Sequence, residues 1–565
     1  MSVDEKPFAI TLEVGSSKAN HTGSWRTERP VYVRRQAPCC GACPAAEDPQ
    51  QWLYHAEDGD YETAWREIMR RNPFPAICGR VCYHPCETAC NRAQLDKAVG
   101  INSVERFLGD QALVEGWQVK PIAEATGKRV LIIGAGPCGL SAAYHLALLG
   151  HSVTIKDAAP AAGGMMRYGI PKYRLPRDVL DAEVARIVEL GVELDLGHDV
   201  KDLLAEQTEG KFDAVLIAVG AQLGSRTYVP AGSAAKILDA VSMLHSVETG
   251  EQPLLGRRVA VYGGGNTAMD AARTAKRLGA EDAVIVYRRT RDRMPAHETE
   301  LEDALAEGVQ VRWLTTVKRA DAGKLTIEKM ELDESGFPQP TGEFEELDAD
   351  ALVLATGQQT DLALLDGVDG IEQEHGSVIV DDNMMTGHTG IFAGGDMVPG
   401  DRTVTIAIGH GRRAALAVDR WLAPEGVDER HAIQERPLAA DANPRIPAVT
   451  SGEEATFDRL NTWYYADAPR TVRPELDAVR RSSTFDEIVL GLDLENALFE
   501  ARRCMSCGSC LACDNCYGVC PDNAVVKLDP AGEYAYEFDY DFCKGCGLCV
   551  AECPAGAIEM QPELI

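Results

Sequence analysis

Hydrophobic and polar positions follow two rhythms along this chain, short apolar runs of strand length and longer stretches of helical period, and their order predicts β-α-β units. The clearest is residues 129–157, RVLIIGAGPCGLSAAYHLALLGHSVTIKD, which reads as strand, glycine turn, helix, second strand and closing acid. Residues 130–150 carry no formal charge over 21 positions, the length of a membrane span. Four glycines, a proline and the acid that follows fit a tight turn and a buried helix better. A second unit, RRVAVYGGGNTAMDAARTAKRLG, repeats the pattern with a strand at 258–262, an opening helix and a further strand at 283–287. Between the two, a basic loop GGMMRYGIPKYRLP (163–176) leads into a helix through Leu190, and a strand at 213–219 ends in Gly220. From Asp350 the first pattern returns: ALVLATG (351–357) echoes DAVLIAVG, and IFAGGD (391–396) is a strand ending in an acid before a helix that starts in TVTIAIGHGRRAA.

The glycine turns carry the first chemistry. Gly134, Gly136 and Gly139 are spaced G-x-G-x-x-G, so the backbone can turn sharply, approach a pyrophosphate and pack helix on strand. Asp157, 23 residues beyond Gly134, stands where such folds place an acid for a ribose hydroxyl. In the second unit Gly263, Gly265 and Ala268 form G-x-G-x-x-A, with Asn266 and Thr267 opening the helix. Its second strand ends in Arg288-Arg289, a pair suited to a 2'-phosphate, so this site is expected to prefer NADPH to NADH. We therefore read an NADPH domain inserted into an FAD domain that resumes near residue 350. Gly395 would let the backbone meet the flavin's phosphates and Asp396 would bond its ribityl chain, with Gly164, Arg167 and Thr403 as further cofactor contacts. No cysteine pair follows either glycine turn, which excludes a disulfide relay, and Cys138 reads as a packed residue.

Cysteine usage changes the picture at both ends. Eighteen cysteines are present, all but Cys138 grouped before residue 91 or after residue 503, a distribution that suits metal clusters in a reducing compartment. In the tail, Cys510-x2-Cys513-x2-Cys516-x3-Cys520-Pro521 is matched 33 residues later by Cys543-x2-Cys546-x2-Cys549-x3-Cys553-Pro554, an internal duplication in which Ala524 and Ala557 also correspond. In two-cluster ferredoxins the fourth cysteine of each run ligates the other cluster, which assigns Cys510, Cys513, Cys516 and Cys553 to one 4Fe-4S cluster and Cys543, Cys546, Cys549 and Cys520 to the other. Cys504 and Cys507 extend the first run upstream and read as spare thiols or as part of the domain joint. Near the N-terminus, Cys39, Cys40 and Cys43-Pro44 precede a pair of helices (48–54, 60–71) and then CGRVCYHPCETAC, with Cys78, Cys82, Cys86 and Cys90. Thiolate-rich sites of this kind favour iron-sulfur, with structural zinc as the alternative.

The formal charge of −31 argues against nucleic acid and anionic membranes. The opening residues contain no apolar segment of signal-peptide type, so a cytoplasmic location is expected.

The order of parts, together with ICGRVC, RYGIPKYRLP, GGGNTAMDAA, VYRRTRDRMPA and IFAGGD, resembles the small subunit of NADPH-dependent glutamate synthase and the N-terminal half of dihydropyrimidine dehydrogenase over residues 36–425. The tail adds a bacterial-type ferredoxin. The resemblance implies an α/β fold of two Rossmann-like domains flanked by iron-sulfur modules. The corresponding division is 1–35 arm, 36–125 helical iron-sulfur module, 126–255 and 346–424 FAD domain, 256–345 NADPH domain, 425–500 linker and 501–565 ferredoxin domain. The family supplies Cys-x2-Cys-x4-Cys-x3-Cys-Pro in its first module, whereas here Cys39, Cys40 and Cys43 alone stand before the proline. The implied ligand set is Cys43, Cys82, Cys86 and either Glu105, which matches a glutamine ligand of the dihydropyrimidine enzyme, or one of Cys39 and Cys90. That makes three 4Fe-4S clusters, with room for a fourth.

The expected function is transfer of electrons from NADPH through FAD and the clusters to or from a protein partner: a ferredoxin, a 2-oxoacid:ferredoxin oxidoreductase or a sulfite-reductase-type enzyme, with homo-oligomerisation open. Two rivals stand beside it, a true glutamate synthase small subunit and an electron-wiring subunit that never meets NADPH.

Overall fold

The structure is a computed structural model that describes residues 21–563 apart from 122, 226, 233–234, 423–426, 428–430, 432–448 and 529–535. Residues 1–20 of the expected 1–35 arm and part of the expected linker therefore lie outside the described residues.

Two five-stranded parallel sheets form the body, an α/β architecture with two dinucleotide folds as expected. The first has the order Ile391–Ala393, Ala214–Ile217, Arg129–Ile133, Ser152–Asp157, Glu193–Leu196. The second runs Gln310–Arg312, Asp282–Val286, Arg258–Tyr262, Ala351–Leu354, Ile237–Asp239. Parallel strands are covered on both faces, which is why the central ones are continuous apolar runs: Val130, Leu131, Ile132, Val215, Leu216 and Ile217 are all buried.

The strand pairing corrects the expected domain limits. Ala351–Leu354 belongs to the second sheet, beside Arg258–Tyr262, and Ile237–Asp239 is that sheet's edge. The echo between ALVLATG and DAVLIAVG marks equivalent strands in two copies of one fold, not two strands of one sheet. Each runs past the glycine turn of its own unit: a Cβ on Gly134 would strike Ala218 O, and one on Gly263 would strike Ala355 O. A three-stranded antiparallel meander, Thr315–Asp321, Lys324–Leu332 and Pro338–Asp348, packs Val317, Leu325 and Ile327 against Ala260, Val286 and Leu352 of the second sheet.

The N-terminal module is helical. Asp48 and Asp60 cap Pro49–Glu57 and Tyr61–Met69 by accepting from the Gln51 and Thr63 N–H groups at 3.0 and 3.2 Å. Trp52, Trp65, Ile68, Met69 and Phe74 share a core with the first sheet, and the Tyr144 hydroxyl donates to Met69 O at 2.8 Å. Glu183, on the distant helix Arg177–Val188, accepts from the Ala76 and Ile77 N–H groups at 3.0 Å, meeting the unpaired donors at the start of Pro75–Val81.

Residues expected as linker are largely ordered structure. Val449–Glu454 pairs in parallel with Glu28–Gln36, and the helices Ala478–Ser483 and Leu494–Ala501 pack on the body through Arg481 with Asp303 (2.8 Å) and through Glu500 with Gly100 N–H (2.6 Å). Proline and acid content suggests linker and interdomain packing; the acids are engaged by arginines and backbone donors. Among the described residues no helix is long and apolar enough to cross a membrane.

The helix Val404–Leu422 lies so close to Pro137–Leu148 that a Cβ on Gly411 would strike Cys138 O and approach Ala142 N to 2.9 Å. Gly411→Ala should cost about 1–3 kcal/mol by forcing the two helices apart. The expected readout is a lower thermal midpoint than that of Gly452→Ala, where a Cβ meets nothing within 4 Å.

Candidate functional site

A large cleft, about 1990 Å³ including space open to solvent, opens above the C-terminal ends of the first sheet, where ligands bind in folds of this type. Gly134, Gly136, Asp157, Gly164, Gly395, Asp396 and Thr403 all line it. Gly134 has φ +110°, a conformation that side-chain-bearing residues avoid, and it lines the cleft at the turn. The Asp157 carboxylate accepts from the Ala135 N–H at 2.6 Å and the Ala159 N–H at 2.7 Å, so it braces the turn as well as facing the cleft. Burial raises its pKa, and these two N–H groups hold it down in part. Asp396 has less help: burial pushes it up to about 6, opposed by Arg402. The Thr403 hydroxyl accepts from the Ile406 N–H at 3.2 Å and caps the helix that starts beside the cleft. Cys138 also lines the cleft, with its Sγ 2.9 Å from the Cβ position of Gly394.

Three sequence candidates are placed elsewhere. The Arg167 guanidinium donates to Ala162 O at 2.7 Å and pairs with Asp181, outside the cleft wall. Gly139 and Ala268 pack helix against strand, and a Cβ on Gly139 would strike Gly134 O.

A second cavity, about 1250 Å³, is lined by Gly263, Gly265, Thr267, Tyr287, Arg288 and Arg289. The Asn266 side chain accepts from the His297 N–H at 2.8 Å. Arg289 Nε is buried without a hydrogen-bond partner, while its side chain also bonds Tyr287. Thr267, Gln358 and Arg402 line both cavities, so the two spaces meet.

At the N-terminal module Cys82 and Cys86 gather around Cys43, with Glu105 and Glu47 as electrostatic neighbours. Burial pushes the Cys82 thiol up to about 12, while the Thr405 side chain and the His84 N–H (3.3 Å) bond to its sulfur. Glu105 accepts from Asn72 at 3.1 Å and is pushed far above the carboxylate range by burial and by Glu47 and Glu183. Buried Cys78 stands on the same side, near Cys82 and Glu105. Cys39 and Cys90 belong to a different group: the electrostatic neighbours of Cys39 are Cys40, Cys504 and Cys90. Of the ligands the resemblance left open, only Glu105 therefore stands with Cys43, Cys82 and Cys86.

The tail holds two small cavities of about 320 Å³ each. One is lined by Cys510, Cys513, Cys516 and Cys553, the other by Cys520, Cys543, Cys546 and Cys549. The fold thus brings Cys553 to the first run and Cys520 to the second. Ala524 N–H donates to Cys520 Sγ at 3.2 Å and Ala557 N–H to Cys553 Sγ at 3.3 Å, the same bond in both halves. Tyr32, from the other end of the chain, brings its hydroxyl within 3.4 Å of Cys516 Sγ.

Sequence reasoning missed Arg174, Asp270 and Arg402. Arg174 lines the cleft and is bound by Asp270 at 2.8 Å and by Glu300, joining the loop 163–176 to the second unit. Its signal was present in the basic loop, but its acid partners lie about a hundred residues away and share no motif with it.

A family model described as pyridine nucleotide-disulphide oxidoreductase matches residues 128–411. The 4Fe-4S domain II of dihydropyrimidine dehydrogenase matches residues 19–117, and a 4Fe-4S binding domain matches residues 536–559. The chain is 37% identical over 515 residues to the NADP(+)-dependent formate dehydrogenase subunit beta of Moorella thermoacetica, covering 83% of this chain and 70% of that one. It is 32% identical over 531 residues to the NADPH-Fe(3+) oxidoreductase subunit beta of Geobacter sulfurreducens, covering 85% and 77%. It is 35% identical over 391 residues to the NAD-dependent dihydropyrimidine dehydrogenase subunit PreT homolog of Salmonella typhi, covering 68% and 91%. With two dinucleotide folds meeting at one cleft and cysteine clusters beyond each, the chain belongs to the pyridine nucleotide-disulphide oxidoreductase family and carries 4Fe-4S domains toward both ends.

Proposed function

We propose that this oxidoreductase takes electron pairs from NADPH and passes them on singly, through FAD and its 4Fe-4S clusters, to a protein partner. The observation that carries the reading is the shared wall of Thr267, Gln358 and Arg402 between the two cavities, which lets a nicotinamide held on the second fold reach a flavin held on the first. A bound flavin supplies the step between two-electron and one-electron carriers. The chain's own residues bind and orient: the turn at Gly134–Gly136 and the backbone at Gly395 cradle phosphates, Asp396 accepts from ribityl hydroxyls, and Arg288 and Arg289 hold the 2'-phosphate.

The exit is short, because Cys82 lies between the cleft-lining residues Val81 and Tyr83 and bonds Thr405 at the start of the cleft-side helix. Cys43, Cys82 and Cys86 with Glu105, and the two tail sets, are the proposed cluster ligands. Within the family the order of parts sets the chain beside glutamate synthase small subunits, as a member with its own ferredoxin module. The two relatives named as beta subunits support a partner that is another redox subunit. Arg289, poised with an unmet donor, favours this reading over a subunit that only relays electrons.

Loss of a charge-assisted bond to a 2'-phosphate is worth about 1.5–3 kcal/mol, so Arg289→Ala should lower kcat/KM for NADPH roughly tenfold or more and leave NADH turnover nearly unchanged. Equal losses for both nucleotides would remove the arginine from phosphate recognition.

Asp396 gives a pH signature. Its folded pKa, about 6, lies above the unfolded value, so flavin-free protein binds the extra proton and loses stability as pH rises from about 4 through about 6. Asp396→Asn should raise the thermal midpoint of flavin-free protein at pH 8, by an amount equivalent to about 1–3 kcal/mol, and leave it unchanged near pH 4. The same substitution should weaken FAD retention.

Cys546 is exposed at the far end of the tail, and Cys546→Ala should leave NADPH-driven dye reduction intact. Reduction of a protein acceptor should fall by about tenfold or more. Full-rate service of that acceptor would move the exit to the N-terminal module.

A further inference from the structure

Four cysteines from three distant segments meet where the N-terminal module joins the tail. The electrostatic neighbours of Cys39 include Cys504 and Cys90, those of Cys504 include Cys507 and Cys90, and those of Cys507 include Cys90. Hydrogen bonds hold the segments in place: Arg92 Nη1 donates to Arg503 O at 2.7 Å, Arg35 N–H to Gly508 O at 2.9 Å, and Gln50 Nε2 to Cys507 O at 3.2 Å. Cys40 borders the group, hydrogen-bonded to Cys39 and an electrostatic neighbour of Cys507, and its own thiol donates to Asp48 at 3.2 Å.

The backbone at Cys504 repeats that of the two tail runs. In Cys510-x2-Cys513 the second and fourth residues after the first cysteine, Ala512 and Asp514, have φ +54° and +65°. In Cys543-x2-Cys546 the equivalents, Gly545 and Gly547, have +74° and +73°. In Cys504-x2-Cys507 they are Ser506 at +49° and Gly508 at +76°. This conformation is rare for residues with a side chain, and it turns successive N–H groups toward one centre, the concave arrangement that binds anionic sulfur clusters. In each run the N–H two residues on bonds the first sulfur: Ala512 to Cys510, Gly545 to Cys543, Ser506 to Cys504. The Asn91 side chain adds a hydrogen bond to Cys507.

We propose that Cys39, Cys90, Cys504 and Cys507 hold a fourth 4Fe-4S cluster at this joint, two ligands coming from each end of the chain. Its position completes a series. Cys39 and Cys90 each lie four residues from a member of the Cys43, Cys82 and Cys86 group. Cys507 lies three residues before Cys510, a separation of at most about 11 Å. Tyr465 neighbours both sites, Cys504 and Cys507 of the one and Cys513 and Cys553 of the other. Without this site the module's cluster and the tail's pair are separate.

The proposal rests on reading both ends as cluster-binding, and its test, iron and acid-labile sulfide per FAD in anaerobically prepared full-length protein, is independent of which nucleotide donates electrons. Wild type should hold about sixteen irons. The double variant Cys504→Ser/Cys507→Ser, and separately Cys39→Ser, should hold about twelve at unchanged FAD content, with a matching loss of spin intensity from the dithionite-reduced clusters. Cys40→Ser should keep all sixteen. About twelve irons in wild type, a full complement in both the double variant and Cys39→Ser, or one tightly bound zinc lost with these cysteines would each overturn it. The wild-type count stands even if a variant fails to fold.

Discussion

The strand Glu28–Gln36 ties the two ends of the chain together, and the placement of every cluster-side cysteine beyond the flavin cleft depends on it. It pairs antiparallel with Ile558–Pro562, Tyr32 opposite Ile558, and parallel with Val449–Glu454, Val33 opposite Val449. Strand side chains alternate between faces, so a slip of one residue would turn Tyr32 away from Cys516 and carry Arg35 out of its bond to Gly556 O. Register here is therefore a condition on the electron path, beyond its contribution to stability.

Buried charge makes the joint specific. The Arg503 side chain, 2% exposed, is held by Glu500 at 2.5 Å, Asp96 at 3.0 Å and the carbonyls of Lys97 and Ala98. Asp96 also accepts from Arg92 at 2.8 Å, and those guanidinium bonds hold its carboxyl well below the usual range. Desolvating such groups offsets much of their attraction, so the network adds little net stability, whereas removing one member strands its partner. The arrangement therefore selects one way of docking residues 449–509 on the helical module, the docking that brings Cys504 and Cys507 to Cys39 and Cys90.

Close backbone approach does the corresponding work at the flavin cleft. Gly409 and Gly411 admit the loop at Pro44 and the helix at Cys138 against Val404–Leu422, so one helix contacts both the cluster module and the dinucleotide turn. The cleft and the cluster module thus share a wall.

Local pattern alone located the two glycine turns and the helices that begin at Asp48 and Asp60, because each depends on spacing within a few turns of chain. Tertiary structure decided the rest. ALVLATG and DAVLIAVG look alike because they play one role twice, and only strand pairing reveals which sheet each joins. Arg167 was drawn off the cleft by Asp181, and Arg174 was held at it by Asp270 and Glu300, partners that no local motif encodes. Within residues 449–501, Glu487 meets Arg80 and Arg106, pairings that no local pattern encodes. Cys504 and Cys507 appeared spare for the same reason: the thiols that complete their site lie more than 400 residues away, and proximity over such a separation is set by packing and burial, not by local spacing.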